Sequence, residues 1–221
     1  MITYLYHMKA KWLDCSLPQA IDVPQLLDKE NIDFQEINHV NWAVDYPYKP
    51  LVRFRIACCK DGFLLHYKVE EKAVRAHYGE DNGDVWTDSC VEFFSIPGND
   101  GVYYNLECNC IGTILLGVGS GKQGRQRASQ AILDTIGRWS SLGCLPFETR
   151  MGETSWQVAL TIPYRAFFQH DVQMRPGTRF LANFYKCGDN LPTPHFLSWS
   201  PIDLPKPNFH CPEFFREVVL E

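Results

Sequence analysis

Residues 85–94 bring an aromatic ring and two carboxylates within a few positions of one another. If this stretch is one β-strand, successive side chains alternate between its faces, and Trp86, Asp88 and Glu92 then lie on the same side. An aromatic ring can stack on the apolar C–H face of a pyranose, and carboxylates accept hydrogen bonds from its hydroxyls. The stretch therefore predicts a saccharide-binding surface, although a tryptophan beside a strand is also a common core residue.

Residues 103–109 repeat this pattern and place Asn105 and Glu107 on one face of the next candidate strand. Asp88 and Glu92, four residues apart along a strand, would lie about 13 Å apart, whereas glycosidase carboxylates are separated by roughly 5–9.5 Å. Glu92 and Glu107 on neighbouring strands could be nearer. Saccharide binding without catalysis is the first hypothesis, and glycoside hydrolysis through Glu92 and Glu107 is the alternative.

A metal or cofactor site has less support in the sequence. The acidic run at residues 80–84 could supply oxygen ligands to calcium, but a turn rich in Gly and Asp explains it without a metal. The nine cysteines are an odd number and form no Cys-x-x-Cys pair, so we expect buried thiols, a reducing compartment and no cofactor.

A haem-binding or protein-binding β-sandwich is a third hypothesis, because similar sandwiches bind unrelated ligands. Its signature would be an axial pair of methionine and histidine. Met8, Met151 and Met174 have no histidine in a matching strand position, which disfavours haem.

The charge of the chain gives no reason to expect a polyanionic partner. The net charge is -5 with a pI of about 5.8, which disfavours nucleic acid. We interpret the cluster of Lys122, Arg125 and Arg127 as a solvated loop. No apolar run has the length of a signal peptide or a membrane span, so we expect a cytoplasmic protein that does not bind membranes, unless a leader has been trimmed.

Short segments with period-two alternation recur from Val52 onward, separated by Gly, Pro, Asn and Asp. Residues 52–58 and 63–69 form a predicted hairpin around Asp61-Gly62. Further strands are predicted at 90–96, 103–109, 113–118, 147–151, 155–162, 178–187 and 215–220, with a Gly-Asn-Asp-Gly turn at 98–101. The pattern predicts an all-β, two-sheet antiparallel β-sandwich of the jelly-roll type, forming a single domain over 1–221.

The N-terminal residues are less regular. We expect residues 1–37 to be an extension packed on the sandwich, because so short a segment cannot bury a core of its own. Within the first fifty residues, a short helix is predicted at 23–30 and a strand at 40–44.

Several motifs together resemble the family 9 carbohydrate-binding modules. Trp86 is followed by Asp88, Ser89, Val91 and Glu92, and the C-terminal part carries His195-Phe196-Leu197-Ser198-Trp199-Ser200-Pro201-Ile202 and then Pro207-Asn208-Phe209-His210. The resemblance covers residues 38–221.

This resemblance implies a β-sandwich that holds a saccharide between two tryptophans and does not cleave it. Trp86 and Glu92 match one aromatic residue and its carboxylate partner, and Trp199 is the candidate for the second tryptophan. Further candidate contacts are Asn105, Glu107, Asn183 and Lys186, of which Asn183 and Lys186 have opposite parity in their strand. Members of the family often carry structural calcium.

Overall fold

The computed structural model describes residues 7–98 and 100–221. Strands dominate this part of the chain, and their bounds are β1 His7–Trp12, β2 Gln35–Glu36, β3 Leu51–Cys59, β4 Gly62–Ala76, β5 Cys90–Ile96, β6 Tyr103–Asn109, β7 Ile114–Gly119, β8 Gln126–Arg127, β9 Gly137–Ser140, β10 Phe147–Pro163, β11 Arg179–Cys187, β12 Phe196–Ser198 and β13 Arg216–Leu220. Two α-helices, α1 Val23–Lys29 and α2 Gln130–Leu133, are short. The prediction of a mainly β protein is confirmed.

The strands form one continuous ladder in the order β8-β7-β6-β5-β11-β13-β1-β3-β4-β10-β9, with β12 beside β11 and β2 beside β3. Strand β1 runs parallel to both of its neighbours, pairing His7 with Glu217 of β13 and Lys11 with Ala57 of β3. The other named pairings are antiparallel. The predicted two-sheet arrangement is not confirmed, because β1 joins the two halves into one curled sheet.

The main hydrophobic core lies where the two halves of this sheet face each other. Phe54 of β3 stacks on Phe184 of β11 with ring centroids 3.8 Å apart, and Phe63 of β4 meets Phe93 of β5 at 5.7 Å. These contacts follow from the predicted alternation, since every second residue of each strand points inward. Burial of these aromatic rings holds the halves together.

The predicted hairpin is present as β3 and β4, in which Cys58 pairs with Phe63 and Val52 with Val69. The two strands predicted at 147–151 and 155–162 are instead one long strand, β10, with two irregularities in its register against β4. Of the predicted turn at 98–101, Asn99 lies outside the described residues.

The N-terminal segment is part of the sheet and not an irregular wrapping, because β1 supplies the strand that links its two halves. The predicted helix is confirmed as α1, whose Val23 and Leu27 are fully buried. The strand predicted at 40–44 is wrong, because residues 41–45 form a turn. The indole of Trp42 in this turn donates to the Leu204 carbonyl at 2.7 Å. Residues 1–6 of the predicted extension lie outside the described residues.

Seven of the nine cysteines are buried as free thiols, while Cys15 is partly exposed and Cys144 is exposed. Among the described residues, no helix has the length and apolar character needed to cross a membrane.

Candidate functional site

The face of β5 and β6 that points away from the main core forms the floor of a cavity of about 560 Å³. In the antiparallel pairing of these strands, Glu92 lies opposite Glu107, and Phe94 lies opposite Asn105. All four side chains line the cavity. Strand alternation therefore correctly placed Glu92, Asn105 and Glu107 on one surface. Because Trp86 also lines this cavity, we call it the Trp86 cavity.

Trp86 reaches the cavity from a turn and not from a strand. Residues Val85–Thr87 form one turn of 3-10 helix, and β5 begins only at Cys90. The Trp86 carbonyl accepts hydrogen bonds from the Asp189 backbone N–H at 3.4 Å and from the Cys187 thiol at 3.4 Å. These contacts tie the turn to the end of β11, and the partly exposed indole lines the cavity.

Asp88 does not share the cavity with Trp86, because the strand that would have aligned them does not extend to either residue. Its carboxylate is fully buried and accepts hydrogen bonds from the backbone N–H groups of His77 and Tyr78 at 2.9 and 3.0 Å. The Asn109 amide donates to it at 3.0 Å. Asp88 therefore anchors the chain that leads from β4 to the Trp86 turn.

Burial controls the charge of the acidic groups in the cavity. Loss of solvent raises the pKa of Glu92 well above its usual value, and the neighbouring Glu107 raises it further. Burial raises the pKa of Glu107 to about 7, although the Asn105 amide and the charges of Arg127 and Arg125 oppose this shift. Near neutral pH the Glu107 carboxyl group can thus either donate or accept hydrogen bonds, as a ligand rich in hydroxyls requires.

The Glu107 side chain has an unused acceptor. Its Oε1 accepts from the Asn105 amide at 2.9 Å, while its buried Oε2 has no hydrogen-bond partner among the described residues. The Asn105 side chain has room because its partner in β7 is Gly117. Any other residue at position 117 would place its Cβ 2.6 Å from Asn105 Oδ1. An unpaired buried oxygen is unfavourable, so a ligand hydroxyl that donates to it would be stabilised.

The cluster of Lys122, Arg125 and Arg127 lines the same cavity, which corrects its interpretation as a simple solvated loop. Arg125 is partly buried, donates from Nε to Asn105 Oδ1 at 2.8 Å, and lies 4.0 Å from the centre of the Tyr103 ring. Lys122 and Arg127 are exposed. The connection between β7 and β8 folds back over the cavity, and sequence alone does not reveal this long-range placement.

Strand β12 and the segment that follows it supply aromatic residues that sequence reasoning did not assign to the site. Phe196, Phe209 and His210 all line the Trp86 cavity. Phe209 stacks on Tyr185 with ring centroids 4.2 Å apart and an interplanar angle of 9°. Burial lowers the pKa of His210 to about 4, so this imidazole is neutral at pH 7. The sequence does contain an indication of these residues, because Phe196, Phe209 and His210 all belong to the C-terminal motif.

The structure does not bring Trp199 to the cavity. Trp199 is 9% exposed and packs in the main core, edge-on to Phe54 and Phe184 at 6.2 and 5.8 Å. Phe196, three residues earlier, lines the cavity instead. The motif indicated the correct loop, but the two side chains point to different sides of the sheet.

Asn183 and Lys186 do not line the cavity either. Asn183 is buried and holds Ser200 by two hydrogen bonds, at 2.9 Å to its N–H and 3.2 Å to its carbonyl. Lys186 lies within the protein, where its Nζ is 3.0 Å from a Glu71 carboxylate oxygen and 2.8 Å from His195 Nε2. Both side chains are buried and make structural contacts. As their opposite parity in β11 predicts, they lie on different faces of that strand.

In the acidic run at residues 80–84, which was predicted as a turn, the central carboxylate belongs to Asp81 and is bound by other parts of the protein. Asp81 accepts from Arg138 Nη1 at 2.6 Å and from the Ile114 N–H at 3.1 Å. Burial would raise the pKa of Asp81, but these hydrogen bonds outweigh it and lower the pKa overall. A second cavity, of about 770 Å³, lies beside this loop and includes Trp139. The expectation that the protein needs no calcium stays a prediction.

One group of described residues has the spacing of metal ligands. The sulfurs of Cys90 and Cys187 and a carboxylate oxygen of Glu92 lie within 4.8 Å of one another. Burial raises the pKa of the Cys90 thiol to about 12 and that of Cys187 well above its usual value. The Cys187 sulfur lies 3.1 Å from Glu92 Oε1 and 3.4 Å from the Trp86 carbonyl, so these two acceptors share its one thiol proton.

The fold and the sequence define the family. The family described as Carbohydrate-binding family 9 matches residues 21–220, and the chain belongs to this family. The predicted resemblance is therefore confirmed. Among curated proteins, none matches the sequence of this chain.

Three solved structures are similar to this chain. A crystal structure of a candidate carbohydrate-binding protein from Bacteroides uniformis is 52% identical, with a TM-score of 0.94, and the match covers 97% of this chain and 99% of that one. A family 9 carbohydrate-binding module from Caldicellulosiruptor kristjanssonii in complex with glucose is 11% identical, with a TM-score of 0.63 and coverage of 97% and 95%. Its complex with cellotriose gives 11%, 0.58, 97% and 93%. The two complexes share the fold with this chain.

Proposed function

We propose that this protein binds a mono- or oligosaccharide in the Trp86 cavity and does not cleave it. The observation that carries the proposal is that Trp86, Glu92, Asn105 and Glu107 line one cavity. The indole supplies an apolar surface for the sugar ring, and the three polar side chains supply hydrogen bonds for its hydroxyls. The glucose and cellotriose complexes of the family 9 module support glucose-type units as first ligands to test.

Phe196 replaces Trp199 as the proposed second aromatic surface. Phe196 is partly exposed and is held edge-on by Tyr46, with ring centroids 4.8 Å apart. A phenylalanine ring has a smaller stacking area than an indole, so Trp86 is expected to contribute more to affinity. In this proposal the two halves of the curled sheet are the two layers of a sandwich. The Trp86 cavity lies on the outer face of one layer.

Glu92 and Glu107 are the two carboxylates on which glycoside hydrolysis would depend. Glu92 and Glu107 are directly opposed on neighbouring strands, a position in which Cβ atoms are about 4.5–5.5 Å apart. Both side chains therefore rise from the same floor. Glycosidase carboxyl groups flank the scissile bond at about 5–9.5 Å, so glycoside hydrolysis through Glu92 and Glu107 is the alternative function. Because the chain belongs to a family of carbohydrate-binding modules, we expect no new reducing ends after prolonged incubation with oligosaccharides.

Replacing Trp86 with alanine should weaken saccharide binding by about 1–3 kcal/mol, because the ring loses its stacking surface. The fold should be retained, since the indole is only partly buried. Titration calorimetry with glucose and cellotriose measures the affinity, and a thermal melt measures the stability.

The matched control is Trp139→Ala, which removes the partly exposed indole of the second cavity. This variant should bind as the wild type does, and the saccharide should be recovered intact after each titration. An unchanged affinity in Trp86→Ala, or a loss of affinity confined to Trp139→Ala, would contradict the proposal.

A further inference from the structure

The Trp86 cavity is lined by three positively charged side chains from residues 122–127, which cover part of the β7–β8 connection and strand β8. Lys122, Arg125 and Arg127 all line the cavity. Among the described residues, none of the three forms an ion pair with a carboxylate. Their charges act together on a shared neighbour, because all three contribute to the lowered pKa of His210, after the larger effect of burial.

The acidic groups of the cavity offset these charges only in part. Burial disfavours the charged forms of Glu92 and Glu107, and it raises the pKa of Asp189 to about 6. At pH 7, Glu107 is about half ionised, because its pKa is about 7. Three permanent cations therefore face fewer than three full negative charges, and the cavity has a positive potential.

The three cations differ in what they can offer a ligand. Arg125 is already engaged, with Nε on Asn105 and its Nη atoms on backbone carbonyls, including that of Gly121 at 2.9 Å. It holds Asn105 in position. Lys122 and Arg127 are exposed, and an arginine fork pairs well with a carboxylate.

We propose that the preferred ligand of this cavity is an acidic saccharide, with its ring on Trp86 and its anionic group between Lys122 and Arg127. This inference rests on the proposed function and adds the ligand class. A carboxylate at C6 of the sugar is the group we assign. A sulfate ester would offer the same charge, and the experiment below separates the two.

The test compares glucose, glucuronic acid and glucose 6-sulfate, which share a ring and differ at C6. Titration calorimetry at low ionic strength is carried out on the wild type and on the double variant Lys122→Gln, Arg127→Gln. The matched control is Lys9→Gln, Arg179→Gln, which removes two positive charges from exposed residues that do not line the cavity.

The wild type and the control should bind glucuronic acid about tenfold more tightly than glucose, and added salt should reduce this ratio, since exposed charges are screened. The double variant should bind both sugars equally, because it lacks the two cations that distinguish them. Equal binding of both sugars by the wild type, or a preference that survives in the double variant, would overturn the inference alone. A preference for the sulfate over glucuronic acid would overturn the assignment of a carboxylate. Binding of none of the three would overturn the proposed function as well.

Discussion

Replacing Lys186 with methionine should destabilise the protein by about 3–5 kcal/mol, because the change leaves a buried carboxylate without its cation. The side chains of Lys186 and Glu71 are both fully buried, and Nζ lies 3.0 Å from Glu71 Oε2. The other Glu71 oxygen accepts from the Trp156 indole at 2.7 Å. His195 Nε2 lies 3.7 Å from the same Glu71 oxygen as Lys186, and burial first and the charge of Lys186 second lower its pKa well below its usual value. Loss of Lys186 removes only the second cause, so burial still opposes protonation of His195. Urea unfolding measures the difference.

The double variant Lys186→Met, Glu71→Gln is the control for this prediction. It removes both charges, and the amide oxygen introduced by Glu71→Gln can still accept from Trp156. We expect it to recover a large part of the lost stability. If the single variant unfolds at the wild-type urea concentration, the ion pair does not have the structural role assigned here.

Replacing Trp199 with alanine should cost about 3–5 kcal/mol of stability, because the change opens a cavity in the core. The indole packs edge-on against Phe54 and Phe184, which join the two halves of the sheet. Folded protein should keep its saccharide affinity, since Trp199 does not line the Trp86 cavity. Urea unfolding and titration calorimetry on the same variant measure both properties.

Trp86→Ala is the natural comparison and should show the reverse result, with stability retained and affinity lost. A Trp199→Ala variant that folds as stably as the wild type but binds saccharide poorly would contradict the placement of Trp199. That result would favour Trp199 as the second sugar-binding tryptophan, which the family resemblance implies.

Strand periodicity predicted much of the floor of the site. Glu92, Asn105 and Glu107 were placed together because alternation in a strand depends only on local sequence. The same rule placed Trp86 on this surface by assuming that it lies in the strand. Trp86 instead lies in a 3-10 turn before β5 begins. Its position depends on hydrogen bonds to the Trp86 carbonyl from the Asp189 backbone N–H and the Cys187 thiol, more than 100 residues later.

The features that sequence reasoning missed depend on contacts between distant segments. Phe196 and Trp199 share one motif, and nothing in their spacing shows which of them reaches the cavity. The Gly-rich connection carrying Arg125 reads as an exposed loop until its contact with Asn105 is known. Strand β1 could join the halves of the sheet only through pairing with β3 and β13, which local patterns do not specify.

The most direct test of the account is to observe the six tryptophan indole N–H signals by NMR during a saccharide titration. The protein is labelled with 15N at tryptophan, and Trp86→Phe assigns the signal of Trp86. We expect the Trp86 signal to shift in a saturable way while the signals of Trp139, Trp156 and Trp199 stay in place. Saturable shifts of Trp139 with no change at Trp86 would place the saccharide in the second cavity and contradict the account.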